Sequence, residues 1–211
     1  MKLISISGRH HGGKTTIADH IVKCVGDRAV RINFADPIRE VVFSMCPSWW
    51  GLESPEDLKS QDTKDRVLPS GKTVREALQM IGQVYREVDE NYWVDIYNER
   101  LDQLEGTNMV VITEDMRFVN EFINNQQRYD CLTLRTTRRK DDSKDKSEAD
   151  LDEIEKATVQ MLNTGDVVTG QLYFDQIIFN ESMDIDEAND KAMDYVSQHL
   201  TSDLKDYERL G

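Results

Sequence analysis

Gly8-Arg9-His10-His11-Gly12-Gly13-Lys14-Thr15 places two glycine positions, a lysine and a hydroxyl in the pattern GxxxxGK[ST]. Each residue type there has a physical job. Glycines let the backbone turn its N–H groups toward an anion at the start of a helix. The lysine neutralises phosphate oxygens, and the threonine hydroxyl reaches a magnesium ion. The chemistry this set supports is holding the β- and γ-phosphates of a nucleoside triphosphate. A chance match arises in roughly one chain per hundred at average residue usage. A short apolar run before the motif and an amphipathic stretch after it make a plain glycine-rich turn the weaker reading. Gly8, His11, Gly12, Gly13, Lys14, Thr15 and Thr16 are therefore the expected ATP contacts, although the His10 and His11 side chains read as solvent-facing.

A second Gly-Lys-Thr, Gly71-Lys72-Thr73, is a decoy. Arg66 stands where its first glycine belongs, and no strand precedes it, so it reads as a turn and a helix cap. Asp115 follows the apolar run Val110-Val111-Ile112, the place where an acidic group serves Mg²⁺ beside such a loop. Glu114 competes for that role, and a solvated strand end is the alternative for both.

The arginines fit a phosphate pocket, since guanidinium groups bind phosphate through two parallel hydrogen bonds. Arg39 lies one turn into a predicted helix. Arg75, Gln79, Gly82 and Arg86 recur at helical spacing as a polar stripe, and Arg117 follows Asp115 by two residues. Arg135, Arg138 and Arg139 precede a highly polar stretch. Solvated surface is the competing reading, above all for Arg86 and Arg139. Trp93 and Tyr97 read as core or as base-stacking platforms; Trp49 and Trp50 are candidates for covering an acceptor.

These residues need a scaffold that brings them to one edge. Apolar runs predict strands at Lys2–Ser7, Ala29–Phe34, Met109–Thr113, Cys131–Leu134 and Ile177–Phe179. The first helix carries Ile17, Ala18, Ile21, Val22 and Val25 on one face and stops at Gly26. Asp36-Pro37 opens a second, with Asp36 as its N-cap. Thr73-Val74-Arg75-Glu76 is a capping box for a third, whose stripe is Val74, Ala77, Leu78, Ile81, Val84, Tyr85 and Val88. A fourth covers about Asn91 to Leu104 and a last one about Asp184 to Leu200. Strands alternating with amphipathic helices predict an α/β fold with a mainly parallel central sheet flanked by helices. Ligands bind at the carboxyl ends of such strands, which places the loop, Asp36, Asp115, Arg135 and Asn180 along one edge.

Composition narrows the partners. The 211 residues are 38% hydrophobic and 31% charged, which suits a single domain spanning 1–211. The formal net charge of −14 disfavours binding to a nucleic-acid backbone. No stretch approaches the ~20 apolar residues of a membrane span, and no signal-peptide core is evident. Three isolated cysteines, Cys24, Cys46 and Cys131, fit a reducing cytoplasm. Residues from about 136 to 165 form a lid-like insert, and the stretch from Thr136 to Glu155 offers almost no apolar surface. It is expected to be mobile, with Arg138 approaching the transferring phosphate and the acidic residues facing outward.

At this point the chain resembles a family. The phosphate loop, Phe34-Ala35-Asp36-Pro37-Ile38-Arg39-Glu40, the run Val74 to Gly82, Tyr92-Trp93, and Asp115-Met116-Arg117-Phe118-Val119-Asn120-Glu121 look like the deoxynucleoside monophosphate kinases of bacteriophages. Ser147-Glu148 and Phe174 to Asn180 are similar to that family's lid and last strand. The resemblance spans nearly the whole chain in the same order. It implies a P-loop kinase fold with a mobile lid, located in the cytoplasm of a host cell if phage-encoded. It implies ATP and Mg²⁺, with a deoxynucleoside monophosphate as acceptor. Lys14, Arg117 and Arg138 would be catalytic, Thr15 and Asp115 would hold the metal, and Asn180 would join the ATP contacts. Asp36, Arg39, Arg75, Gln79, Trp93 and Arg117 would line the acceptor side. A homodimer is left open. Two departures stand out: Glu114 precedes the aspartate, and Ser147 to Asp175 is longer than the family's equivalent.

Three other readings share the loop. A nucleoside or other hydroxyl-acceptor kinase would need Asp36 or another carboxylate as base. A phosphomevalonate-type kinase would use the same phosphate chemistry. A GTPase-like switch would normally carry an Asn-Lys-x-Asp guanine reader, and the chain has no Asn-Lys dipeptide.

Overall fold

The computed structural model describes residues 1–9, 12–137, 151–179 and 183–208. Three expected site residues, His11, Arg138 and Asn180, lie outside the described residues, as does Arg139. The chain divides into two compact units, residues 1–31 with 104–211, and residues 32–103.

The first unit is built on a five-stranded sheet. Its strands are β1 (Lys2–Gly8), β2 (Ala29–Arg31), β3 (Val110–Met116), β4 (Cys131–Thr137) and β5 (Gln176–Phe179). They run in the order β2-β3-β1-β4-β5, and every neighbouring pair is parallel. This is the expected α/β architecture, a parallel central sheet flanked by helices. Its helices are α1 (Lys14–Val25), α6 (Val119–Arg128), α7 (Asp152–Thr164) and α8 (Ile185–Glu208). Among the described residues no helix is long and apolar enough to cross a membrane.

The sheet's two faces differ in chemistry because successive side chains point opposite ways. Ile4, Ile6, Val110, Ile112, Leu132 and Leu134 make one face, packed with Ile17, Ala18 and Ile21 of α1 and Ala188, Ala192 and Val196 of α8. The other face carries polar groups in register. Asn125 of α6 donates to Ser5 Oγ at 3.0 Å, and Ser5 Oγ lies 3.2 Å from Met116 Sδ. Asp175 accepts from the Thr133 N–H at 2.7 Å and its hydroxyl at 2.6 Å. Ser5, Thr133 and Asn125 are fully buried, so each needs its partner there.

The second unit holds α2 (Asp36–Met45), α3 (Gln61–Asp65), α4 (Val74–Val88) and α5 (Tyr92–Asp102). Single 3-10 turns lie at Ser48–Trp50 and Pro55–Lys59. Its core gathers Val42, Trp50, Leu58 and Val74, with Leu78 and Ile81 packed against them. The capping box at Thr73 forms as expected: Thr73 Oγ1 accepts from the Glu76 N–H at 3.2 Å, and Glu76 accepts from the Thr73 N–H at 2.6 Å. The Thr73 N–H, then the Thr73 hydroxyl, hold the Glu76 carboxyl below its usual range. Gly71 sits at φ 79° in a tight turn closed by the Leu68 N–H on the Lys72 carbonyl. The second Gly-Lys-Thr is thus the turn and cap that its sequence implied.

Several boundaries differ from expectation. β2 stops at Arg31 rather than Phe34, because Asn33 turns its N–H to Asp36 Oδ2 at 2.8 Å. For the same reason Asp36 is the first residue of α2 and its cap position is Ala35. The apolar stripe of α4 is buried only at its N-terminal end; Val84 and Val88 are exposed. Thr136 and Thr137 belong to β4, and Thr136 is buried.

Candidate active site

In the first unit, the glycine motif connects the central strand β1 to α1. Gly8 has φ 154°, and a Cβ there would lie 2.1 Å from Thr136 Oγ1 and 2.6 Å from its carbonyl oxygen. β4 runs that close because Gly8 pairs with Thr136 in register. At Gly12 a Cβ would lie 2.9 Å from the Arg9 carbonyl, which accepts the Gly12 N–H at 3.0 Å. Gly13 caps α1 in the left-handed region at φ 87°, where glycine carries little penalty. Three glycines are thus needed for three separate reasons. Lys14 Nζ donates to the carbonyls of Gly8 at 2.5 Å and Arg9 at 2.7 Å, which holds the ammonium over the loop. Thr15 and Thr16 are exposed at the helix start.

β3 lies beside β1 and brings its acids to the same sheet edge. The pairing slips between Ser5 and Ser7, where Ser5 faces Thr113 and Ser7 faces Met116. The extra residue is a β-bulge at Glu114–Asp115, which resets the alternation of side chains. Glu114 meets Arg31 at 3.4 Å, and Arg31 also bonds Asp19. Asp115 is half-buried on the adjacent position. Among the described residues there is no cluster of three metal-ligating side chains. Magnesium on a phosphate loop needs none, since phosphates and water supply most of its oxygens. Thr15, exposed at the start of α1, and Asp115, half-buried at the bulge of β3, carry oxygens of the kind such an ion takes. Arg117 follows, and its N–H and that of Phe118 both donate to Glu121 Oε2, at 2.7 and 3.1 Å. A 2%-exposed carboxylate thereby fixes the turn that presents Arg117.

Arg135 ends the polar face of the sheet. It is buried, yet all of its charge is answered: Nε to Glu155 at 2.6 Å, Nη2 to Asp152 at 2.7 Å, Nη1 to Ser7 Oγ at 2.9 Å. The Phe174 ring lies 5.7 Å from its guanidinium carbon. Asp152 also binds Arg9 of the glycine loop at 2.5 Å. The expectation that the acidic residues of the polar stretch face outward is therefore corrected for Asp152 and Glu155. Leu151 and Ile154 are buried and seat the first turn of α7, which aims both carboxylates inward. Arg135→Met should lower stability by about 3 kcal/mol, because it leaves Glu155 without its cation and Asp152 with Arg9 in place of two arginines. In a chain of this size that is a fall of about 6–12 °C in the thermal midpoint. Adding Asp152→Asn and Glu155→Gln to that variant should recover part of the loss; no recovery would mean that packing, not charge, sets the effect.

In the second unit, Asp36 and Arg39 form one cluster. Arg39 Nη2 donates to Asp36 Oδ1 at 2.5 Å, with Lys59 Nζ 3.6 Å from the same oxygen. Arg39 is 9% exposed and its Nε has no hydrogen-bond partner among the described residues. Arg75 binds Asp65 at 3.1 Å, and Gln79 is exposed one turn further on. Trp93 lies in the packed interior, 1% exposed, its Nε1 donating to the Gly82 carbonyl at 2.9 Å. That placement favours a core role over a base-stacking platform. Gly82 is where α2 comes close, since a Cβ there would meet Ile38 Cδ1 at 3.2 Å.

Sequence reasoning missed Arg9, Asp152, Glu155 and Glu121. A glutamate three residues into a helix was the available signal for Glu121; the other three join only through tertiary contact. None of the three cysteines is in a disulfide. Desolvation, then the carboxylates of Asp175 and Asp130, pushes the Cys131 thiol well above its usual range, which argues against thiolate chemistry.

No family model matches the chain, and no curated protein matches it. Two similar solved structures are a candidate kinase of Chloroflexus aurantiacus J-10-fl and dephospho-CoA kinase from Campylobacter jejuni. The first is 16% identical with a TM-score of 0.45, covering 95% of this chain and 96% of that chain. The second is 13% identical with a TM-score of 0.48, covering 94% of this chain and 97% of that chain. At that distance the likeness assigns no activity, and the chemistry has to come from the loop itself.

Proposed function

We propose that this chain transfers the γ-phosphoryl group of ATP to a deoxynucleoside monophosphate. The observation that carries the reading is the glycine-constrained loop on the central strand of a parallel sheet, with Lys14 held over its carbonyls. An oxygen of the acceptor phosphate attacks the γ-phosphorus, the bond to the β,γ-bridging oxygen breaks, and ADP and a deoxynucleoside diphosphate leave. The acceptor's second pKa is about 6, so its oxygen is already ionised and no protein base is needed.

The protein's work is alignment and charge neutralisation. Backbone N–H groups from Gly8 to Thr16 cradle the ATP phosphates, with Asn180 on the nucleotide. Lys14, Arg117 and Arg138 follow the charge of the transferring group. Thr15 and Asp115 hold Mg²⁺, which neutralises β and γ oxygens when bound. Asp36, Arg39, Arg75 and Gln79 take the acceptor, and the buried Trp93 packs the same unit through Gly82.

A nucleoside kinase would use Asp36 as base, but its two oxygens are engaged by Arg39 and the Asn33 N–H. That favours a positioning role for Asp36 and a phosphate acceptor. Coupled ADP-release assays across deoxynucleoside monophosphates, nucleosides and mevalonate phosphate decide the acceptor. Turnover only with a nucleoside or with mevalonate phosphate would overturn the proposal.

The metal assignment has its own test. Even an outer-shell partner of a metal ligand is worth 10–100-fold in affinity. Asp115→Asn should therefore raise the Mg²⁺ concentration for half-maximal rate by about tenfold or more. Glu114→Gln should have a smaller effect, because Glu114 is tied to Arg31. The reverse order would move the metal to Glu114.

A further inference from the structure

Asp152 serves two arginines of different kinds. Its Oδ1 takes Arg135 at 2.7 Å and its Oδ2 takes Arg9 at 2.5 Å. The Arg135 side chain is 2% exposed and bound to Glu155 and Ser7 as well. It is desolvated and fully committed, so releasing it would strand Glu155. The Arg9 side chain is 38% exposed and belongs to the phosphate loop, one residue after Gly8. Its carbonyl helps form the loop, accepting from Lys14 Nζ and the Gly12 N–H. Its guanidinium ties that loop to the first turn of α7.

We propose that Arg9 is an exchangeable phosphate-binding cation that passes from Asp152 to the ATP phosphates and so unlatches α7 from the loop. The proposal rests on the ATP reading above. A partly exposed ion pair is a weak tie, whereas an arginine on a polyphosphate makes paired, charge-assisted bonds. The exchange leaves nothing stranded, because Asp152 keeps Arg135 on its other oxygen. Binding of the nucleotide and the seating of α7 are then linked, and each opposes the other.

The test uses the full chain with a non-hydrolysable ATP analogue and Mg²⁺. Binding is measured by calorimetry, and hydrogen exchange is followed over residues 152–164. Asp152→Asn removes the carboxylate that holds Arg9 to α7 and should tighten binding by about fivefold. Glu155→Gln removes the same charge from Arg135 without touching Arg9, and should change affinity much less. Arg9→Ala should weaken binding by about tenfold and abolish the gain from Asp152→Asn in the double variant. In the wild type the analogue should speed exchange over 152–164; in Arg9→Ala that exchange should already be fast and unresponsive. Because Arg9 is not in the core, this variant tests the latch even where Asp152→Asn folds poorly. Equal gains from Asp152→Asn and Glu155→Gln, or weaker binding in Asp152→Asn, would overturn the latch. So would analogue binding with unchanged exchange over 152–164, and in that case the ATP reading stands. Absence of analogue binding by the wild type overturns the ATP reading and the latch with it.

Discussion

Lys14→Ala is expected to lower ATP-dependent phosphoryl transfer by about 10²–10³-fold, the loss seen when one preorganised donor to a developing charge is removed. The ammonium sits 2.5 Å from the Gly8 carbonyl and 2.7 Å from the Arg9 carbonyl. It is thus carried on the loop's own backbone and needs no swing from solvent to meet a phosphate. The fold should survive the change. α1 is anchored by Ile17, Ala18 and Ile21, and alanine has the best helix propensity of any residue. The checks are a coupled ADP assay and a thermal melt on the same preparation. Near wild-type turnover would remove the phosphate-loop reading. A collapsed melting curve would instead show that the two carbonyl contacts hold the loop together.

Gly8→Ala should be more damaging to the protein itself. The new methyl would meet Thr136 Oγ1 at 2.1 Å and the Thr136 carbonyl oxygen at 2.6 Å, at a backbone φ of 154°. Overpacking and backbone strain act together, so the loss is on the order of 4 kcal/mol. Chemical denaturation is the readout. Thr136→Ala in the same chain clears the hydroxyl but not the carbonyl, so rescue should be partial. Complete rescue would mean that only the side chain limits the space and that β4 can shift.

The parts of this architecture that were legible in sequence are those with local causes. The glycine-constrained loop between β1 and α1, the capping box at Thr73 and the turn at Gly71 are each set by residues within a few positions of one another. The apolar runs of β1, β3 and β4 mark strands covered on both faces. What stayed hidden depends on distant partners. α6 reads as Val-Asn-Glu-Phe-Ile-Asn-Asn-Gln-Gln-Arg, a surface segment by composition. Asn125 and Glu121 are nevertheless buried, because Ser5 and two backbone N–H groups satisfy them. α7 begins Asp-Glu-Ile-Glu and looks like more of the polar stretch before it. Its inward carboxylates make sense only once Arg135, 17 and 20 residues earlier in the chain, is in place.

The two faces of the sheet imply two modes of sequence drift. On the hydrocarbon face, Ile4, Ile6, Val110, Ile112 and Leu134 can be exchanged one at a time among aliphatic residues of similar volume, each with a modest effect. On the polar face a change is tolerated only in company. Ser5 is matched to Asn125, Thr133 to Asp175, and Arg135 to Asp152 and Glu155. Losing one member strands a buried partner. Divergent copies of this chain should therefore show covariation at those pairs and independent drift on the opposite face, so the polar lattice would be inherited as a block.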